Sequence, residues 1–445
     1  MLEVLNTLLW GPGTLALILG TGAWLTLRTG GFPQRNLGWA LALSLGREAR
    51  RKGRGGVSPF GSLMTALAST VGTGNIVGVA AALVSGGPGA LVWMELAALL
   101  GLAAKFAECM LAVKYHRVRQ DGTRWGGPMA VMETRLGPAG AVLGRFYALF
   151  ALLMAFAMGA MAQSGALADT FSAAFTLPRW RVGLVTAALA LTILLGGIRR
   201  IADISTVLVP VMALLYLGGG LAVILGNLRR LPEAVTLMLR CAVAPEAALG
   251  GALGIVTRRE ALRWGVARSV FSNEAGLGSA AITAACADTE DPVKQGLISM
   301  TGVFFDTMVI CAVTGLAICC SGTLGAADGN GRPLTGAALT LRAFETVLGP
   351  LAPWLIGVAL GLFAFTSVLG CAVQAETTAS YLLGPGAVRP CRVLYGLAVF
   401  AGAVIPMATV LQLADLANAL MAFPNLVCLL LLSDEIAGEC GRKER

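Results

Sequence analysis

Two short stretches carry residue types and a spacing that could do chemistry. One is Gly72-Thr73-Gly74-Asn75-Ile76-Val77-Gly78; the other is Phe271-Ser272-Asn273-Glu274-Ala275-Gly276-Leu277-Gly278-Ser279. Both interrupt apolar runs. Glycine and polar side chains in such a run weaken a helix and free its backbone groups. A break of this kind offers N–H groups at the start of one half-helix, which attract a carboxylate. It also offers carbonyls at the end of the other, which can coordinate a small cation. The first stretch is not a dinucleotide fingerprint: three residues separate Gly74 from Gly78, and an apolar helix precedes it, not a strand. The alternative to a ligand site is a glycine contact for helix packing.

Glu274 is the more specific signal. A carboxylate within a span costs a few kcal/mol and is expected to be paired or functional. Arg268, six residues upstream, is an imperfect partner on one helix. Two roles stay open for Glu274: contact with a ligand, or an ion pair or cap that holds the unwound segment.

The elements that must position these stretches follow from composition. The chain has 445 residues, 56 % hydrophobic and 13 % charged, with mean hydropathy +0.77. A soluble domain carries about 25 % charge, so an ordinary cytosolic enzyme, a disordered chain and a nucleic-acid binder are all excluded. Eleven apolar segments are expected, at residues 4–27, 61–84, 89–115, 143–168, 182–195, 204–225, 265–286, 296–320, 351–374, 393–409 and 411–432. The segment at 182–195 is short and is expected to extend toward Ile198. None alternates over ten residues, which disfavours a β-barrel. The fold class is therefore an all-α polytopic membrane protein.

Net charge is +9, and its placement matters more than its sum. Arg28 to Arg54 and Lys114 to Arg135 form basic clusters in alternate loops, the positive-inside pattern. That puts the N-terminus outside and the C-terminus, with Arg442, Lys443 and Arg445, in the cytoplasm. The first segment lacks a basic leader and is read as a span, not a signal peptide. The connector 227–264 breaks the charge pattern with six arginines and is expected to be an extracellular interfacial or re-entrant element. The ten cysteines sit mostly in apolar stretches and read as free thiols. The only histidine is His116, and no metal or hydrolase motif is present, which argues against an enzyme.

Gly72 and Ser272 are 200 positions apart, and each break opens a group of five segments. Five is odd, so the second group enters from the opposite side, as in an inverted repeat whose broken helices flank a binding site near the midplane. The expected organisation is an extra N-terminal helix with a basic cytoplasmic loop (1–56), a first five-helix repeat (57–226), the connector (227–264), a second repeat (265–434) and a cytoplasmic tail (435–445).

With these residues in view, the chain resembles the alanine or glycine:cation symporter family, the sodium:alanine symporters. The matching stretches include Gly72-Thr73-Gly74-Asn75-Ile76-Val77-Gly78-Val79-Ala80, Gly86-Gly87-Pro88-Gly89-Ala90 with Trp93-Met94, and Lys105-Phe106-Ala107-Glu108. Further on come Gly126-Gly127-Pro128-Met129, the run from Gly265 to Gly278, Phe305-Asp306-Thr307 and Pro424-Asn425-Leu426. The resemblance implies a five-plus-five, LeuT-like fold of about eleven helices in the cell (inner) membrane. It implies sodium-driven uptake of alanine, glycine or a similar small neutral amino acid, D-enantiomers included in some members, with no cofactor beyond the coupling sodium ion.

By the same resemblance Gly72, Thr73, Gly74 and Asn75 hold the substrate carboxylate, and Ala68 and Val71 offer carbonyls to sodium. Thr366 and Ser367 add hard-oxygen hydroxyls, against the alternative of back-bonding to a carbonyl four residues earlier. Gln163 would face the substrate, against an interhelical hydrogen bond; Phe271 and Ser272 would line the pocket. Asp306 with Thr307 either touches the cation or holds the fold. The chain departs from the family at Glu95, Gly159-Ala160, Gly165, Thr283-Ala284 and Gly370 to Glu376, where an aromatic-rich run is lost. Glu95 is a protonatable group or is paired with a basic residue. These departures leave three readings beside sodium symport: proton coupling through Glu95 or Glu274, a changed substrate, and a sensor without transport.

Overall fold

The computed structural model describes residues 9–52, 57–119, 122–243, 246–248, 255–327, 329 and 331–444. Helices dominate. Apart from short helices at Phe32–Arg35, Leu37–Leu45 and Pro128–Arg135, those of the first half are, in chain order, α1 (Pro12–Arg28), α2 (Pro59–Thr70), α3 (Val77–Gly86), α4 (Gly89–Lys114), α5 (Gly137–Met154), α6 (Gln163–Phe175), α7 (Arg179–Leu194), α8 (Gly197–Gly226) and α9 (Leu231–Val243). The second half holds α10 (Arg258–Asn273), α11 (Ser279–Ala284), α12 (Pro292–Val303), α13 (Ala312–Ser321), α14 (Gly336–Leu348), α15 (Ala352–Leu383), α16 (Val388–Val404), α17 (Met407–Leu431) and α18 (Ser433–Glu444). Wide π-type turns, Ala155–Ala162 and Phe304–Cys311, join α5 to α6 and α12 to α13.

Among the described residues seven helices are long and apolar enough to cross a membrane, or eight when α2 and α3 count as one bent span. The count of eleven is not reached on that measure. Helix α1 has 17 residues and α7 has 16, so each is about 25 Å long at 1.5 Å per residue, short of a hydrocarbon core of about 30 Å. The remaining segment is the broken pair α10/α11. Helix α7 also corrects an expectation. It does not run on toward Ile198, because Gly197 takes φ +68° and starts a new helix; it extends upstream instead, to Arg179.

Helix α4 is the hub. It packs against α10, α11 and α12, and small residues allow the approach: a Cβ on Gly265 would lie 2.3 Å from the Ala90 carbonyl oxygen. Helix α15 lies as closely on α2, since a Cβ on Gly370 would lie 2.4 Å from the Ser69 nitrogen. The connector contributes α9, which docks on α4 through Trp93 Nε1 donating to Ala242 O (3.1 Å). An antiparallel pair of strands, Glu246–Ala248 with Ile255–Thr257, follows. Residues 249–254, between the two strands, lie outside the described residues. None of the ten cysteines forms a disulfide, and all but Cys319 are buried.

One end of the molecule gathers the basic loops onto α18. Glu435 meets Lys114 (2.7 Å) and Arg135 (3.0 Å), and the Tyr115 hydroxyl donates to it. Lys443 meets Asp291 at 2.5 Å. Burial alone would raise the Glu435 carboxyl, but the hydrogen bonds from Lys114 and Tyr115 and the nearby Arg135 charge hold it below its ordinary 4.5. A depressed carboxyl contributes stability above its unfolded value and loses it as pH falls through the folded one. Docking of α18 is therefore expected to hold at neutral pH and loosen only below about pH 4.5. Limited proteolysis of the C-terminal helix across pH 3 to 7 reads this directly; cleavage that rises already between pH 7 and 5 would contradict it.

Candidate functional site

Both breaks exist. Helix α2 starts at Ser58, whose hydroxyl accepts from Gly61 N–H (3.0 Å), with Pro59 at the first position. It ends at Thr70, and the chain turns by 61° before α3. Helix α10 starts with a capping box between Thr257 and Glu260. It stops where Glu274 adopts φ +53°, an uncommon conformation for a non-glycine residue, followed by Gly276 and Gly278 at +85° and +81°.

One buried polar network joins the two breaks through the π-turn that carries Asp306. Asn75 accepts from Gly72 N–H on its Oδ1 (2.9 Å) and donates from Nδ2 to Asp306 Oδ1 (2.8 Å) and Ser272 Oγ (3.1 Å). Ser272 donates to Asp306 Oδ2 (2.5 Å), as does Thr307 (3.0 Å), and Asn273 donates to Thr307 Oγ1 (3.0 Å). Asp306 and Asn75 are fully buried. Burying these groups is tolerable only because each has partners.

The network has a consequence for the backbone. Gly72 N–H would close the next turn onto Ala68 O, but it donates to Asn75 instead. Asn75 N–H donates to Gly72 O (3.2 Å), not to Val71 O. The carbonyls of Ala68 and Val71 thus lack their helical partners, and the N–H groups of Thr73 and Gly74 have no acceptor among the described residues. At the second break Ala275 N–H donates to Asn273 Oδ1 (2.9 Å), and Gly276 N–H donates to Glu108 Oε2 (3.1 Å). The carbonyls of Phe271 and Ser272 are left open by those two bonds. The first break presents free donors, and the second presents free acceptors beside it: a Cβ on Gly74 would lie 3.6 Å from the Phe271 ring.

Gln163 and Ser367 are brought to this place. The Thr73 hydroxyl donates to Gln163 Oε1 at 3.4 Å, and a Cβ on Gly72 would lie 2.9 Å from Ser367 Oγ and 3.6 Å from the Gln163 amide. Ser367 back-bonds to Phe363 O (2.9 Å) and Thr366 to Leu362 O (2.9 Å). Both hydroxyls keep lone pairs for a cation. The Thr366 hydroxyl also lies 3.2 Å from Met212 Sδ on α8.

Glu274 is tied into the second break on both its side chain and its backbone. Ser279 donates to its carboxylate, and Lys105 Nζ donates to its backbone oxygen (3.1 Å). Arg268 takes no part; its guanidinium stacks over Trp264 and Phe271 instead. The anchor of the second break is Glu108, present in the sequence pattern but given no site role there. Its Oε2 accepts from Gly276 N–H (3.1 Å), Gly278 N–H (3.0 Å) and Asn425 Nδ2 (3.1 Å), and Oε1 lies 3.3 Å from Lys105 Nζ. A lysine and a glutamate three residues apart in mid-span were the available signal. Glu95 differs: its Oε1 is buried with no hydrogen-bond partner. Glu376 forms a two-pronged ion pair with Arg392, 2.8 Å on each side. Cys371, where the aromatic run is lost, packs against Gly159 in the core.

Two broken helices meet here, one with open N–H donors and the other with open carbonyl acceptors. The profile of the sodium:alanine symporter family matches residues 1–441, and the chain belongs to that family of transporters. It is 43 % identical over 441 residues to an uncharacterized transporter of Haemophilus influenzae, covering 99 % of this chain and 94 % of that one. It is 40 % identical over 441 residues to the sodium/alanine symporter AgcS of Methanococcus maripaludis (99 % and 96 %). The amino-acid carrier protein AlsT of Bacillus subtilis is 34 % identical over 425 residues (94 % and 86 %).

Proposed function

We propose that this chain couples the inward movement of sodium to uptake of a small neutral amino acid, alanine, glycine or an amino acid of similar size, by alternating access. The observation that carries this reading is the pairing of free N–H groups at Thr73 and Gly74 with free carbonyls at Phe271 and Ser272. A zwitterion complements both: its carboxylate meets the donors, and its ammonium meets the acceptors. The ring of Phe271 over Gly74 leaves little depth for a side chain, which favours a small substrate. Gln163 orients the carboxylate. Sodium is held by Ala68 O and Val71 O with the hydroxyls of Ser367 and Thr366, oxygen ligands that suit a hard cation. The names of the relatives from M. maripaludis and B. subtilis, a sodium/alanine symporter and an amino-acid carrier, support the same class of solute.

The two breaks belong to inverted repeats at 57–226 and 265–434, in a cell (inner) membrane protein with the N-terminus outside. In this conformation the cytoplasmic half-helices meet, Ser62 Oγ donating to Thr283 O (2.9 Å), while a cavity at the outer end reaches Phe271. Uptake of labelled alanine and glycine into proteoliposomes, with a sodium gradient, a pH gradient or neither, tests the proposal. Sodium-driven accumulation is expected. Accumulation that follows the pH gradient without sodium favours the second reading, in which the unpartnered Glu95 carries a proton. Replacing Thr366 with Val and Ser367 with Ala together is expected to raise the sodium concentration needed for half-maximal uptake by about tenfold or more. Unchanged sodium activation would remove both from the site.

A further inference from the structure

A cavity of about 200 Å³ opens at the outer end, lined by Trp10, Arg263, Trp264, Arg268, Phe271 and Asp415. The binding breaks lie beneath its floor, where Phe271 separates the cavity from Gly74. Three charged side chains line it, Arg263 and Arg268 on α10 and Asp415 on α17; Arg268 and Asp415 are of opposite sign and come from different helices. Arg268 runs its stem past Gly78, where a Cβ would lie 3.9 Å from its Cδ. Its guanidinium is held flat 5.5 Å from the Trp264 ring centroid and 5.4 Å from that of Phe271. Asp415 sits on α17, its backbone oxygen fixed by Trp10 Nε1 at 2.9 Å. Among the described residues neither charge forms an ion pair, with the other or with anything else. Opposite charges that line one small cavity without closing on each other are arranged for a molecule that brings both complements.

We infer that this cavity is a second, outer subsite for a zwitterionic amino acid, with the carboxylate on Arg268 and the ammonium on Asp415. The inference rests on the proposed function, since it takes the same class of solute. A planar guanidinium already stacked on two rings loses little freedom when it binds a carboxylate. Trp10 and Trp264 supply apolar walls for a short side chain. Phe271 is the shared wall between outer and inner sites, so rotation of one ring passes the solute from the first to the second. Arg268 and Asp415 are positioning residues for capture; the free backbone groups below do the final binding.

The test is equilibrium binding of tritiated L-alanine to the purified full-length protein, with and without sodium. The wild type is expected to bind a second alanine that does not depend on sodium. Asp415→Asn and Arg268→Gln should each weaken that component by about tenfold or more, the loss of a charge-assisted contact. Each should leave the sodium-dependent component in place. A wild type without a sodium-independent alanine component would overturn the inference, as would variants that keep that component at full strength. Loss of both components in both variants would also overturn it, because the charges would then belong to the inner site or to the fold. Absence of the sodium-dependent component alone would instead remove the proposed sodium coupling and leave the outer subsite standing.

Discussion

Glu108→Ala is expected to destabilise the protein by about 3–5 kcal/mol, the cost of leaving a buried charge without its partner. The glutamate side chain is completely buried, and Lys105 is nearly so. One carboxylate oxygen holds three donors from two distant elements, Gly276 N–H, Gly278 N–H and Asn425 Nδ2. Alanine strands the two backbone N–H groups in a region without water. It also leaves the Lys105 ammonium without its carboxylate, bonded to the Glu274 backbone oxygen. Glu108→Gln keeps one oxygen for the donors but turns an amide toward the lysine, so its loss should be intermediate. Thermal melting in detergent measures the order wild type, Gln, Ala. Hydrogen exchange at Gly276 and Gly278 localises the effect. The double variant Lys105→Met with Glu108→Leu removes both charges and should be more stable than Glu108→Ala, because no lone charge remains. A single variant that melts like the wild type would show that Glu108 does not anchor the break.

That anchor explains a division of labour between the breaks. The second break has its N–H groups filled by Glu108, so a substrate carboxylate cannot use them. The first break leaves the N–H groups of Thr73 and Gly74 open, while Gly72 N–H is taken by Asn75 Oδ1. Glycine-rich breaks look alike in sequence; the difference lies in one side chain on α4 and one within the break.

The existence of both breaks was legible because glycine and polar residues in an apolar run leave few options. Which polar groups meet was not. Asn75, Ser272 and Asp306 come from three separate segments, and no local pattern pairs an amide with a carboxylate 231 positions away. The sequence leaves Glu274 between ligand contact and cap, with Arg268 an imperfect partner. In the structure Ser279, five residues on, closes on Glu274, while Arg268 turns outward. Helix α14 was missed because it is too short and polar to span. Its buried residues Leu339, Thr340, Ala343 and Phe344 nevertheless repeat at helical spacing. What spacing does not say is that Thr340 lands on Ile76 O (3.3 Å), at the foot of α3. Periodicity reports which face is buried; it carries no information about the partner.

Gly72→Ala is expected to leave the protein folded and to remove sodium-dependent uptake. The backbone at Gly72 is extended, φ −140° and ψ −158°, so alanine meets no conformational penalty there. The obstacle is space. The added Cβ would lie 2.9 Å from Ser367 Oγ, closer than ordinary contact, and 3.6 Å from the Gln163 amide. Ser367 Oγ is tied to Phe363 O at 2.9 Å, so relief requires turning that hydroxyl out of the break. Overpacking of this kind costs about 1–3 kcal/mol, which a marginally stable fold can survive but a cation shell cannot absorb. Losing one oxygen ligand, with the Ala68 and Val71 carbonyls displaced, should weaken sodium activation by about two orders of magnitude, some 2.8 kcal/mol at 1.4 per tenfold. Gly20→Ala is the matched control, since nothing lies within 4 Å of its Cβ position. Sodium titration of alanine uptake in proteoliposomes, with melting curves of the same preparations, separates site from fold. A Gly72→Ala protein with wild-type sodium activation would show that the cation binds elsewhere than between α2 and α15.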